Sequence, residues 1–97
     1  MGVSVRVSSG RIEEFENGIK TRGPYGSNLI AANTDGKTVA AITKGGRIQE
    51  YENGNRTRGP YGQDAAGGIQ VSGGVVTVQT KNGRSADYKN GSFYRSY

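Results

Sequence analysis

The chain has 97 residues, with 17 glycines, no cysteine, no histidine, no tryptophan and a net charge of +5. The missing cysteines exclude disulfides and thiolate chemistry, and the missing histidines remove the commonest general base and transition-metal ligand. Leu, Ile, Val and Phe together number only 17, which is below the roughly 20% at which disorder becomes an alternative to folding. The length indicates one small domain, whose order cannot rest on a large apolar core.

A repeated block organises the chain. The sequence GRIEEFENGIKTRGPYG at 10–26 returns as GRIQEYENGNRTRGPYG at 46–62 with 13 of 17 positions identical, and a looser copy, GRSADYKNGSFYRSY, occupies 83–97. We therefore read the chain as one domain of three units of about 36 residues. The units are an incomplete first unit at 1–26, a second unit at 27–62 and a third unit at 63–97.

A short apolar run precedes each block. When the runs are aligned by the same spacing that separates the blocks, Val3 matches Val39 and Val76. In the same alignment Val7 matches Thr43 and Thr80. The run in each unit predicts a β-strand that leads into the repeated block.

An Asn-Gly pair falls at the same place in every unit, at 17–18, 53–54 and 90–91. Asn-Gly is the strongest short signal for a β-hairpin, because both residues tolerate the positive φ that a type I′ turn requires. No helical period of apolar residues occurs. Each unit is therefore predicted to be a meander of four short antiparallel strands, and the first unit lacks its leading strand, which makes about eleven strands in all.

If the first Asn-Gly pair forms a two-residue loop and the strands beside it pair regularly, Glu14 is predicted to lie opposite Thr21. It also places Arg22 diagonal to the ring of Phe15, within reach of a cation–π contact. The same contact is predicted in the other units, for Arg58 with Tyr51 and for Arg95 with Tyr88.

The run GKTVAAITKGGRIQEYENG at 36–54 resembles the second and third strands of a β-propeller blade. It has the apolar run, the glycine turn, and then the strand that ends in an aromatic residue and a polar turn. With SNLIAAN before it and NRTRGPYG after it, the second unit resembles a whole four-stranded blade. The resemblance implies radial symmetry, with ligand sites at the repeated loops.

The number of units separates two architectures. Propellers close with about four to eight blades, so we expect several chains, as a dimer or trimer, to complete one propeller-like ring. The open edge left by the missing strand and the small core favour such a homo-oligomer. The alternative is a three-fold single-chain fold, a β-trefoil or a β-prism.

Several arginines and tyrosines recur at equivalent positions and are the candidate ligand-binding residues. Arginine in every copy suits bidentate contact with an anion, and tyrosine in the Arg-Gly-Pro-Tyr-Gly loops suits stacking on a base or a sugar. An acid, Glu14, Glu50 or Asp87, lies between the arginines, so a lattice of ion pairs between units is the structural alternative. The candidates are Arg11, Arg47, Arg84, Arg22, Arg58, Tyr25 and Tyr61.

The basic charge and the interleaved aromatic residues favour a non-enzymatic module that binds an anionic partner, a nucleic acid or a nucleotide. One alternative is a lectin-like module that binds a glycan through the loop tyrosines. The other is a purely structural, self-assembling repeat, natural or engineered.

Glu13 and Glu14 point to opposite faces of a strand, so we expect no catalytic dyad, and we expect no metal and no cofactor. The sequence carries no apolar run of membrane-spanning length and no signal peptide, so the default expectation is a cytoplasmic protein.

Overall fold

The computed structural model describes residues 3–97. Eleven strands and no helix occur in this range, as the sequence predicts for an all-β protein. No helix in it is long and apolar enough to cross a membrane. The strands are β1 (Val3–Ser8), β2 (Arg11–Glu16), β3 (Ile19–Tyr25), β4 (Leu29–Thr34), β5 (Val39–Thr43), β6 (Ile48–Glu52), β7 (Asn55–Tyr61), β8 (Ala65–Ser72), β9 (Val75–Thr80), β10 (Ser85–Lys89) and β11 (Ser92–Ser96).

The strands form three antiparallel meander sheets. The first sheet is β1-β2-β3, the second is β4-β5-β6-β7 and the third is β8-β9-β10-β11. The Asn-Gly turns explain the hairpins: Asn17, Asn53 and Asn90 have φ of 54°, 53° and 54°, and the glycine after each has φ of 80° to 82°. These are the positive values that a type I′ turn requires.

The pairing after the Asn-Gly turn differs from the prediction. Glu14 pairs with Arg22 and Phe15 pairs with Lys20, so Thr21 is an extra residue in β3, a β-bulge. The prediction that Glu14 faces Thr21 is therefore wrong, because the bulge shifts the register. The same shift pairs the acid with the arginine in the other two sheets, Glu50 with Arg58 and Asp87 with Arg95. The arginines consequently lie beside the acids and not diagonal to the aromatic rings.

The first apolar run is also aligned differently from the prediction. Val7 faces Ile12, and Ile42 faces the equivalent Ile48. Because the turn before β2 is one residue shorter than the turn before β6, Val7 corresponds to Ile42 and not to Thr43. The constant-offset match of Val3 with Val39 is wrong by one residue for the same reason.

Each sheet has two faces, because side chains alternate along a strand. We call one the acid face, since it carries the acid of the repeated block, which is Glu14, Glu50 or Asp87. The other is the aromatic face, which carries the next residue, Phe15, Tyr51 or Tyr88.

The acid face of one sheet packs against the aromatic face of the next. The first buried cluster joins Ile12 on the first sheet to Leu29, Val39, Ala41 and Tyr51 on the second. The second cluster joins Ala40, Ile42, Ile48 and Tyr61 on the second sheet to Ala65, Ile69, Val71, Val76, Val78, Ala86 and Tyr88 on the third. The middle sheet is therefore covered on both faces by its two neighbours.

The two interfaces between sheets repeat the same contacts. A backbone amide closes each junction at 3.0 Å, from Leu29 to the carbonyl of Gly10 and from Ala65 to the carbonyl of Gly46. Two tyrosine rings meet at each junction, with centroids 5.2 Å apart for Tyr25 and Tyr51 and 5.3 Å apart for Tyr61 and Tyr88. One interface, used twice, therefore holds the three units together.

The two outermost faces differ from the buried ones in polarity. On the acid face, the equivalent positions are Val5, Val7 and Ile12 in the first unit, Ala40, Ile42 and Ile48 in the second, and Thr77, Gln79 and Ser85 in the third. On the aromatic face they are Ser4, Arg6 and Glu13 in the first unit, Val39, Ala41 and Gln49 in the second, and Val76, Val78 and Ala86 in the third. At these positions polar residues thus replace apolar ones on the two faces that no sheet of the described chain covers, as in the capping units of repeat proteins. One aromatic residue remains on each of these faces, Phe15 on the first sheet and Tyr97 on the third.

The repeated interface predicts a stability difference between two glycine substitutions. Gly62 has φ of +73°, and a Cβ added to it would lie 2.9 Å from the Tyr88 ring. Gly18 has a similar φ of +80°, but nothing lies within 4 Å of its added Cβ. We expect Gly62→Ala to lower the free energy of unfolding by about 1–3 kcal/mol more than Gly18→Ala, because only the former overpacks a buried ring. Chemical denaturation measures both, and equal losses would contradict the packing of this loop on Tyr88.

Candidate functional site

One carboxylate is buried in each unit. Glu14 and Glu50 are each 5% exposed and Asp87 is 3% exposed. A buried charge is costly unless it is paired and hydrogen-bonded. The three acids therefore identify where the repeated arginines and tyrosines are needed.

An arginine and a tyrosine hold the acid in the first and second units. The Nη1 of Arg22 donates to Oε1 of Glu14 at 2.9 Å, and the Tyr25 hydroxyl donates to Oε2 of the same carboxylate. Arg58 donates to Oε1 of Glu50 at 2.8 Å, and the Tyr61 hydroxyl donates to its Oε2. We call each such group an acid cluster. The β-bulge makes it possible, because it brings the arginine opposite the acid.

The third unit builds the same acid cluster with different parts. Asp87 accepts from Arg95 Nε at 2.8 Å, from Thr77 Oγ1 at 2.6 Å and from the Tyr97 hydroxyl at 3.2 Å. Tyr97 exchanges two backbone hydrogen bonds of 2.9 Å with Ser85, which gives it the place of Tyr25 in the first unit. Sequence reasoning missed Tyr97, because without the Gly-Pro pair it follows its arginine at a shorter spacing.

The environment of the acid clusters shifts several pKa values. Burial, and then the hydrogen bond to the neighbouring glutamate, raise the pKa of Tyr25 and of Tyr61 well above the usual range for tyrosine. Burial raises the pKa of Asp87, but the hydrogen bonds from Thr77, Arg95 and Tyr97 outweigh it, so the pKa lies below its ordinary value. At neutral pH the tyrosines are therefore neutral donors and Asp87 is charged, which suits a structural role.

Two of the three strand-start arginines hold the Arg-Gly-Pro-Tyr-Gly loop. Arg11 donates through Nε to the carbonyl of Gly26 at 2.9 Å. Arg47 donates to the carbonyls of Gly62 at 3.2 Å and Pro60 at 3.3 Å. Both guanidinium groups are engaged with the backbone of their own unit, so they position the loop against the next sheet.

Arg84, the third strand-start arginine, is different. Its backbone amide and carbonyl form hydrogen bonds with the hydroxyl of Thr80. Within residues 3–97 its side chain has neither a hydrogen bond nor an ion pair. It lines a groove of about 590 Å³ next to the connection between the second and third units. The groove is also lined by Gln63, Asp64, Thr80, Lys81, Asn82, Ala86, Tyr88, Phe93 and Ser96. It combines two cations, one acid and the ring of Phe93, which is 60% exposed.

The seven predicted site residues do not come together in one place. Four belong to acid clusters, namely Arg22, Tyr25, Arg58 and Tyr61. Arg11 and Arg47 hold loops, and Arg84 lines the groove. No group of three or more acids that could hold a metal ion occurs in the described part of the chain. Phe93 and Lys81 were not among the predicted residues, because neither position repeats as a distinctive motif.

A protein family matches the chain over its whole length. The sequence model of the family described as "Helicobacter pylori IceA2 protein" matches residues 1–48 and again residues 44–97, which together span the chain. No curated protein matches the chain.

The acid clusters predict a cost for removing one hydroxyl. Tyr61→Phe takes a donor from the buried carboxylate of Glu50, and we expect it to lower the free energy of unfolding by about 1.5–3 kcal/mol. Tyr94→Phe is the matched control, because Tyr94 is 58% exposed and its hydroxyl has no hydrogen bond among the described residues. Urea denaturation at neutral pH compares the two. A loss in Tyr61→Phe no larger than in the control would show that the cluster contributes nothing to stability.

Proposed function

The chain belongs to the Helicobacter pylori IceA2 protein family, and we propose that it is a non-enzymatic binding module for an anionic, phosphate-bearing partner, a nucleotide or a nucleic acid. The observation that carries the proposal is the groove that brings the guanidinium of Arg84 and the ammonium of Lys81 together with the exposed ring of Phe93. A guanidinium with free donors offers bidentate contact to a phosphate.

The surroundings of Arg84 support this ligand class. Lys81 adds a second cation to the groove, and Asn82 adds an amide. Phe93 meets Tyr88 edge to face, with ring centroids 5.9 Å apart, and still exposes most of its ring. A base stacked on Phe93 with its phosphate at Arg84 uses the same combination of aromatic and cationic contacts as single-strand binding proteins.

The lectin-like alternative has weaker support. It relies on Tyr25 and Tyr61, whose hydroxyls donate to buried glutamates and whose rings pack on Tyr51 and Tyr88. A sugar stacked on either ring would have to displace these contacts. This engagement favours the groove over the loop tyrosines as the binding site.

For the arrangement of the units, we propose three propeller-like blades in a self-contained stack. The strands that pack between units include β1 and β2 with β4, and β4 and β5 with β8, so these contacts run from each unit to the next. A β-trefoil or β-prism needs the first and third units to pack together as well. The polar residues on the outermost faces support a capped stack over the multi-chain ring and over the purely self-assembling repeat.

The capped stack predicts a monomer. Light scattering of the purified chain in solution is expected to give the mass of one chain over a wide concentration range, because Ser4, Arg6 and Glu13 at one end and Gln79 and Ser85 at the other disfavour apolar contact. A stable dimer or trimer would favour the multi-chain ring instead.

The phosphate site predicts the effect of a single charge. We expect Arg84→Gln to weaken the binding of pyrophosphate and of a mononucleotide about tenfold, since one charge-assisted contact is worth about 1.5–3 kcal/mol. Lys37→Gln is the matched control, because it removes the same charge from an exposed position outside the groove. Calorimetric titration at low salt measures both variants.

Two further measurements separate the candidate ligands. Phe93→Ala is expected to weaken binding of the nucleotide but not of pyrophosphate, because only the nucleotide has a base to stack. Wild-type binding is expected to weaken as salt increases. Absence of phosphate binding, or equal losses in the arginine and lysine variants, would contradict the proposal, and displacement by a free sugar would favour the lectin-like alternative.

A further inference from the structure

The groove at Arg84 contains a position at which the third unit differs from the second. Tyr51 of the second unit and Tyr88 of the third are equivalent, because each directly follows the buried acid of its unit. Two residues before each tyrosine, the second unit has Gln49 and the third unit has Ala86. A long amide side chain in one unit is thus a methyl group in the other.

In the second unit, this amide is the hydrogen-bond partner of the tyrosine. The Tyr51 hydroxyl donates to Oε1 of Gln49 at 2.6 Å. The hydroxyl lies under the loop of the first unit, since a Cβ added at Gly26 would be 3.1 Å from it. The second unit therefore satisfies the hydroxyl with one of its own side chains.

In the third unit, the equivalent hydroxyl opens onto the groove. Tyr88 is 7% exposed, and its hydroxyl lies under the preceding loop in the same way, 2.9 Å from a Cβ added at Gly62. The methyl group of Ala86 cannot accept a hydrogen bond, and within residues 3–97 the Tyr88 hydroxyl makes none. Because no fully buried side-chain oxygen in this range lacks a partner, the hydroxyl is accessible to solvent. Ala86 and Tyr88 both line the groove, through which the hydroxyl is reached.

A second difference between the units lies beside the first. Phe93 pairs with Tyr88, whereas the residue that pairs with Tyr51 in the second unit is Arg56. The third unit thus has an aromatic ring where the second has a cation, and this ring meets Tyr88 edge to face at 5.9 Å. A flat group stacked on Phe93 would lie next to Tyr88.

The amide that the third unit lacks indicates which chemical group the groove accepts. A primary amide has a carbonyl oxygen as acceptor and N–H groups as donors. The lactam edge of a nucleobase, as in uracil, guanine or hypoxanthine, has the same two kinds of group side by side, a carbonyl oxygen and a ring N–H. In place of the carbonyl oxygen, adenine has an amino group, which donates and cannot accept from a hydroxyl.

We propose that the groove selects a nucleotide whose base has a lactam edge, with the base stacked on Phe93 and its carbonyl oxygen accepting from the Tyr88 hydroxyl. The base carbonyl then has the role that Oε1 of Gln49 has in the second unit. This inference rests on the proposed nucleotide site, and it adds two residues that determine which base binds. Tyr88 supplies the donor, and the small side chain of Ala86 leaves the space.

Inosine monophosphate and adenosine monophosphate are the matched probes, because both have a purine and one phosphate and they differ at the lactam edge. We expect the wild-type protein to bind inosine monophosphate about tenfold more tightly, as one hydrogen bond and the avoided unpaired donor allow. Tyr88→Phe should remove this preference and leave pyrophosphate binding unchanged. Ala86→Gln should weaken the binding of both nucleotides but not of pyrophosphate, because the added amide bonds the hydroxyl and occupies the space of the base. Calorimetric titration at low salt measures each combination.

Tyr51→Phe is the matched control, because it removes the equivalent hydroxyl at the other junction. It should retain the preference for inosine monophosphate and lower the midpoint of urea denaturation, since its hydroxyl is bonded to Gln49. Tyr88→Phe should leave that midpoint unchanged. A purely structural role for Tyr88 would give the reverse, a lower midpoint with the preference retained.

Equal binding of the two nucleotides by wild-type protein, or a preference that survives Tyr88→Phe, would overturn the inference. If pyrophosphate still binds and Arg84→Gln still weakens it, the phosphate site stands and only the selection of the base fails. Absence of pyrophosphate binding would contradict the phosphate site itself, and the base-selective site with it.

Discussion

A buried carboxylate is the constraint on which each unit depends. Glu50 lies in a position where water cannot solvate its charge, so an arginine and a tyrosine must take the place of water. Arg58 reaches it only because β7 contains an extra residue that shifts the register. The buried acid, the β-bulge and the tyrosine of the following loop are therefore parts of one arrangement, and the loop tyrosine in turn packs on the next sheet.

This arrangement explains how a chain with few large apolar residues is ordered. Tyr61 contributes to the acid cluster of the second unit through its hydroxyl and to the interface with the third unit through its ring. Arginine stems extend this interface, since an added Cβ at Gly91 would lie 2.7 Å from the Arg58 side chain. Side chains with both polar and apolar parts thus fill the space between the sheets that Leu and Ile fill in larger cores. The same contacts are used at both junctions, so a short set of residues specifies the whole stack.

The strands and turns could be predicted from the sequence because their signals are local. Asn-Gly strongly favours a type I′ turn, and three such turns with an apolar run before each block predict about eleven strands. The β-bulge at Thr21 could not be predicted, since the Asn-Gly turn alone predicts regular pairing, whereas the bulge brings Arg22 opposite the buried Glu14. The role of Tyr97 was missed for a related reason, because backbone pairing with Ser85 determines its place and its spacing in the sequence does not. Of the candidate site, the repeat singles out Arg22, Arg58 and other residues that bond within the chain together with Arg84, which lines the groove, and it cannot separate the two kinds.

Whether a repeated residue bonds within the chain depends on what surrounds its unit. In the middle unit, another sheet covers each face, and β5 pairs with a strand on both sides. The repeated residues Arg47, Arg58 and Tyr61 of this unit are all hydrogen-bonded within the chain. In the third unit, the exposed Arg84 lines the groove with Lys81 and Phe93. Repetition therefore identifies the structural residues of this protein, whereas departures from repetition identify the candidate binding surface.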